Sequence, residues 1–160
     1  MFRELRRNKQ YLTNDESIDI LNKATSGVLA VLGDEDYPYA VPLSFVYADN
    51  KIYFHCAKAG HKLDAIEKHD KVSFCIIEKD EIIPEEYTTY FRSVIVFGKA
   101  HVIKDINNKR KAIELLVKKY SPNEVEFEKE IEGSFEFMHM IQIDIDHMTG
   151  KEAKELAMKK

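Results

Sequence analysis

The stretch Ile52-Tyr53-Phe54-His55-Cys56-Ala57-Lys58-Ala59-Gly60-His61-Lys62-Leu63-Asp64-Ala65-Ile66 decides how the chain is read. Its opening residues are apolar and aromatic, which predicts a strand over 52–56. Small residues follow as far as Gly60, and the strand pattern breaks. Leu63 and Ile66 then share one face of a short helix over 63–68. A helix start carries backbone N–H groups without partners and the positive end of the helix dipole, so it attracts anions. Gly60 lets the backbone approach closely, and His61 and Lys62 stand beside that start. The corner suits a phosphate group. It equally suits a plain strand-to-helix turn with two exposed bases, and the segment alone does not choose.

Strands flank this corner on both sides. Upstream, Thr13 and Glu16 have the spacing of a capping box, opening a helix with Ile18, Leu21 and Ala24 on one face. Strands are read over 28–32 and 37–47, with turns at Gly33-Asp34-Glu35-Asp36 and Asp49-Asn50. Downstream, strands over 71–78 and 87–104 flank a charged loop at 79–86, and Gly98 is a natural bulge or kink. Asn107 or Asn108 caps a helix striped by Ile113, Leu116, Val117 and Tyr120, and a short acidic helix over 123–131 follows. A last strand is read over 134–146, and the lysine-rich tail, 151–160, is expected to fray. The sum is six or so antiparallel strands in meander order with helices inserted. That rhythm predicts a small closed or half-open barrel rather than a doubly wound sheet.

With 160 residues, 44% of them hydrophobic and 32% charged, the chain has the makings of one globular domain, 1–160. No apolar run approaches the ~20 residues of a bilayer span. A net charge of −4 excludes nucleic-acid binding by overall charge. The bases Arg3, Arg6, Arg7 and Lys9 form a solvated arm over 1–12 instead. That arm lacks the apolar core of a secretory signal, so a cytoplasmic protein is expected. Cys56 and Cys75 have no C-x-x-C spacing and fall in apolar strands, as buried free thiols do. The six histidines show no metal-ligand spacing, and no metal is expected. A dinucleotide turn of the G-x-G-x-x-G type is absent, so a nicotinamide would bind only transiently.

Two further segments carry chemistry. In Tyr37-Pro38-Tyr39-Ala40-Val41-Pro42-Leu43-Ser44-Phe45, prolines interrupt the ladder and leave backbone groups seeking partners. A flat heteroaromatic ligand would satisfy them, and so would water along an edge strand. In Tyr90-Phe91-Arg92-Ser93-Val94, a guanidinium and hydroxyls open a buried strand. Arg92 could add donors to an anion or pair with a carboxylate.

Together these segments resemble the flavin-binding split-barrel proteins related to pyridoxamine-phosphate oxidase, and within them the nitroimidazole-resistance (Nim-type) group. The resemblance is carried by Gly27-Val28-Leu29-Ala30, Pro38 through Tyr47, Ile52 through Ala57, Gly60-His61-Lys62-Leu63-Asp64, Val72-Ser73-Phe74 and Ser93 through Gly98. It implies a six-stranded antiparallel split β-barrel, and a homodimer with one FMN near each of two interface sites. It implies that His61, Lys62 and Ser93 hold the phosphate, with Gly60 and Arg92 beside them. The flavin edge would lie against the backbone of Pro42, Leu43, Ser44 and Phe45, with His55, Cys56, Ala57 and Val94 around the pocket. His55 is the candidate catalytic side chain, since an imidazole can donate or accept a proton near a substrate. The function implied is an oxidoreductase passing electrons from reduced nicotinamide to a small acceptor such as a nitroaromatic. The alternatives are a non-catalytic flavin-binding or redox-sensing module, or a barrel binding haem or a deazaflavin. The arginine-rich phosphate motif and C-terminal pattern of the vitamin B6 enzymes are missing, so pyridoxamine-phosphate oxidation is not expected.

Overall fold

The computed structural model describes residues 1–160 and builds them round one antiparallel sheet. Its strands are β1 (Gly27–Leu32), β2 (Pro38–Leu43), β3 (Val46–Ala48), β4 (Lys51–Ala57), β5 (Lys71–Ile83), β6 (Thr88–Val102) and β7 (Met138–Glu152). They lie in the order β2-β1-β5-β6-β7-β4-β3, and the sheet does not close. There are seven strands rather than six because the run at 37–47 breaks at Ser44-Phe45 into β2 and β3. The sheet nevertheless curls. Leu29 and Val31 of β1 share a core with Ile52 and Phe54 of β4, although three strands separate β1 from β4 in the sheet. Strand alternation drives this, placing Val72, Phe74 and Ile76 of β5 and Val94 and Val96 of β6 on the inner face.

Helix α1 (Asn14–Lys23) begins at the expected capping box: Glu16 N–H donates to the Thr13 hydroxyl and Thr13 N–H to the Glu16 carboxylate. Ile20 and Leu21 bury its inner face in the main core. Helix α2 (His61–Lys68) seats Leu63, Ala65 and Ile66 there too. Helices α3 (Ile106–Tyr120) and α4 (Phe127–Ser134) instead build a second, smaller core of Ile103, Ala112, Ile113, Ile131 and Met140. Tyr53 of β4 packs against it, so these helices cover the outward face of β4 and β7. No helix is long and apolar enough to cross a membrane.

Several boundaries move for identifiable reasons. β5 continues through the charged residues expected to form a loop, pairing Lys79 with Arg92 and onward to Ile83 with Thr88 after a register shift at Ile77/Lys79. A two-stranded arm exposed on both faces needs no apolar alternation. Asp105, not Asn107 or Asn108, caps α3 by accepting from Asn108 N–H at 2.8 Å. Residues 135–137 form a single turn, and β7 runs from Met138 to Glu152. Gly98 marks the predicted irregularity: register shifts between Phe97 and Gly98, and a Cβ there would lie 2.4 Å from the Asp144 carbonyl oxygen.

The tail is folded rather than frayed. Lys151 and Glu152 belong to β7, Tyr11 bridges to Lys151, and α5 (Lys154–Met158) completes the chain's last turn. Glu152, 1% exposed, accepts from Arg92 at 3.2 Å and from Lys160 at 2.7 Å. Lys160 also reaches Glu16 at 2.6 Å, tying the tail to the start of α1.

The outer face of β5 and β6 carries no helix. Ile77, Ile95 and Phe97 are exposed on it, at 65%, 39% and 40%. Only Phe2 of the arm lies there, its ring stacked 5.6 Å from Phe97 and 4.7 Å from His147.

Candidate functional site

A cleft of about 760 Å³ opens where β4 ends against α3 and α4. Alternation along β4 sends Ile52, Phe54 and Cys56 into the main core and leaves His55 and Ala57 exposed. Ser44, His55, Cys56 and Ala57 line the strand side of this cleft. The opposite wall is apolar, with Leu116 and Val117 from α3, Ile131 from α4, and Phe137 and Met138 beyond it. Four residues singled out in the sequence thus meet in one concavity, walled as small-molecule sites usually are.

The break at Ser44-Phe45 is held by α3, which the sequence did not reveal. Phe45 N–H donates to the Tyr120 hydroxyl at 2.9 Å. That hydroxyl has one proton to share between the Thr25 and Phe45 carbonyls, each 2.8 Å away. The Lys119 ammonium donates to Phe45 O at 3.0 Å and Leu21 O at 3.4 Å, and stands 4.1 Å over the Phe45 ring. Burial pushes the Lys119 amine down from its ordinary value. Phe45 itself is fully buried against Phe74, ring centroids 5.0 Å apart. The backbone groups of Phe45, expected to await a ligand, therefore already have partners. Pro42 and Ser44 remain exposed and Leu43 packs against the core. The open side of β2, an edge strand blunted by Pro38 and Pro42, lies outside the lining of this cleft.

Replacing Tyr120 by phenylalanine strips Phe45 N–H of its partner, and a lost buried hydrogen bond costs about 1–2 kcal/mol. The expected result is a fall in Tm of roughly 3–6 °C for a chain of this size. Thermal unfolding by circular dichroism checks it, and an unchanged Tm would show that Lys119 alone holds the break.

The corner after β4 takes the predicted shape, with the helix starting two residues earlier than expected. Gly60 precedes α2 at φ 148°, a region that favours glycine. No side chain caps the first turn of α2, so its leading N–H groups stay available. Lys62 is half-buried and makes no ion pair. Its charge is felt in the cleft: burial pushes the Cys56 thiol up, while the Lys62 ammonium pulls it the other way. His61 turns toward the loop between β1 and β2. Its Nε2 accepts from Asp34 N–H at 3.1 Å and its ring stacks 4.2 Å from Tyr39. In that arrangement Nδ1–H is the donor left over.

The structure does not bring the β6 residues to this corner in the same way. Arg92 gives its donors to Glu152 and Glu78, with Nη1 3.4 Å from the latter. Val94 is fully buried in the core, so only its backbone could meet a ligand. Ser93 is partly exposed and paired between Ile77 and Lys151, in line with the open outer face.

The model of the family described as pyridoxamine 5'-phosphate oxidase matches residues 13–152, nearly the whole of the sheet and its helices. The chain belongs to that family. No curated protein matches it by sequence. Among solved structures it is similar to a protein described as a putative 5-nitroimidazole antibiotic resistance protein from Bacteroides thetaiotaomicron. The TM-score is 0.77 at 20% identity, over 89% of this chain and 86% of that one. A flavocytochrome from Azotobacter vinelandii gives 0.78 at 20% identity, over 94% and 72%. An FAD-binding protein from Mesorhizobium loti gives 0.68 at 20% identity, over 90% and 97%. At these identities the likeness is one of fold.

Proposed function

We infer that the protein binds FMN in the cleft beside β4 and works as a flavin-dependent oxidoreductase. The observation that carries this is an order along the chain: the strand that supplies His55, Cys56 and Ala57 to the cleft wall is followed, across Gly60, by the uncapped start of α2 with Lys62. A planar ring and an anionic ester three or four residues apart along the chain match that order. The residues present fit the group. Apolar walls suit the rings, the free N–H groups and Lys62 suit the phosphate, and a volume near 760 Å³ is ample for a cofactor of this size.

When bound, the flavin would supply two-electron transfer, from reduced nicotinamide to a small acceptor such as a nitroaromatic. The chain's own share is positional. Lys62 and the α2 start would fix the phosphate, with His61 Nδ1–H as a further donor. Leu116, Val117 and Phe137 would keep water from the reacting face. His55, exposed on the cleft wall, is the side chain able to hold or release a proton there. A second copy of the chain would cover the open face of β5 and β6 and complete the site, a homodimer. The 5-nitroimidazole description of one structural neighbour favours a nitro compound as acceptor.

The test is the visible spectrum of the protein incubated with FMN and then desalted. Retained flavin with its two-band spectrum, in a dimer by light scattering, is the expected result. A Soret band on purification would assign haem instead. Bleaching of the flavin by NADH or NADPH without oxygen would make the protein an enzyme rather than a flavin store.

A further inference from the structure

The bases Lys58, His61 and Lys62 follow Ala57 along the chain, but none of them lines the cleft. At its α3–α4 end, as over the rest of it, the lining holds no lysine or arginine, and its one acidic side chain is Glu130 of α4. Glu130 makes no ion pair. Its backbone carbonyl accepts from the Ser134 hydroxyl at 2.9 Å, but its carboxylate stays exposed at the lip. The same residue also lines the adjoining hollow with Glu124, Glu126 and Lys129, and Lys129 does not reach the cleft. The remaining titratable groups facing this end are His55, Cys56 and Tyr120, none of them a fixed cation. Of the cations of α3, Arg110 pairs with Glu114 and Glu128 and Lys109 donates to the Phe135 carbonyl, while Lys118 lines a neighbouring hollow with Phe127 and Glu128 and does not reach the cleft.

We propose that the α3–α4 end of the cleft selects its second ligand by charge, taking an uncharged or cationic apolar ring and rejecting an anionic one, with Glu130 as the discriminating residue. Two physical effects act together. Leu116, Val117, Ile131 and Phe137 give a charged group nothing to replace its water. An anion meets in addition the repulsion of Glu130, whereas a cation gains an exposed pairing partner. The neutral ring binds best, the cation next, the anion last. A phosphorylated substrate is thereby disfavoured at this end, and in the flavin reading the cofactor's phosphate goes to the start of α2, outside this lining. This selection rests on the flavin reading only for its role in catalysis.

The test uses three probes of one shape: 4-phenylbenzyl alcohol, 4-phenylbenzylammonium and 4-phenylbenzoate. Calorimetric titration is run on the FMN-loaded protein and again without FMN. The alcohol is expected to bind at least tenfold more tightly than the benzoate, with the ammonium between them. Glu130→Lys is expected to shift the ratio of ammonium to benzoate affinity about fivefold or more toward the benzoate. Equal affinities, no binding by any probe, or an order indifferent to Glu130→Lys would overturn the proposal. Discrimination without FMN uptake would leave the charge filter standing and remove the flavin reading. FMN uptake without discrimination would do the reverse.

Discussion

Substituting Lys62 by alanine is expected to weaken FMN binding by about 10- to 100-fold, while riboflavin, which lacks the phosphate, binds as before. The size follows from one charge-assisted contact to an anion, about 1.5–3 kcal/mol. The selectivity follows from position. Lys62 stands at the uncapped first turn of α2 and makes no ion pair, so its loss leaves no partner stranded. The fold itself should be untouched, because Leu63, Ala65 and Ile66 hold the helix to the core. Fluorescence titration with both flavins reads the difference. An equal loss for FMN and riboflavin would move the phosphate elsewhere, and no loss for either would take Lys62 out of the site.

The second large effect concerns stability. Glu152→Ala removes a carboxylate that is 1% exposed and faces Arg92 on one side and Lys160 on the other. Arg92 and Lys160 stay 28% and 45% exposed, so the loss is that of charge-assisted hydrogen bonds, about 1.5–3 kcal/mol, rather than of a stranded buried charge. For a chain of this length that corresponds to a Tm lower by roughly 3–12 °C. Arg92 retains Glu78 at 3.4 Å, which sets the loss at the lower end of that span. Replacing Arg92 and Glu152 together by methionine should recover part of it, since neither charge is then left alone. Differential scanning calorimetry decides, and a drop under 2 °C would show the tail to be held by backbone pairing alone.

Much of the sheet was legible in the sequence because half-buried strands advertise themselves by alternation. The capping box at Thr13 and Glu16, the irregularity at Gly98 and the corner at Gly60 were readable for a related reason: each depends on neighbours in the chain. What could not be read depends on distant partners. The arm from Lys79 to Ile83 is a strand only because Thr88 to Arg92 lies beside it. The tail is ordered because β6 and Tyr11 pair with its start and because Glu152, Arg92, Lys160 and Glu16 converge on one another. Tyr120 reads as one member of a helical stripe, and Lys119 draws no reading at all. Their hold on Phe45 spans some 75 positions of chain, a separation that leaves no local pattern. The same limit hid the engagement of Arg92, whose two readings, anion donor or carboxylate partner, were equally compatible with its neighbours in sequence.

The two thiols stand in very different places. Cys56 is buried in the core, whereas Cys75 is only partly covered, on β5 opposite Ile95. A maleimide dye offered to the native protein therefore finds one target, in the middle of the uncovered sheet. Burial holds that thiol above its ordinary range, so labelling proceeds best under mildly alkaline conditions. The chain thus carries its own reporter for the proposed dimer: tagging that accelerates on dilution would time the parting of two copies without any engineered cysteine.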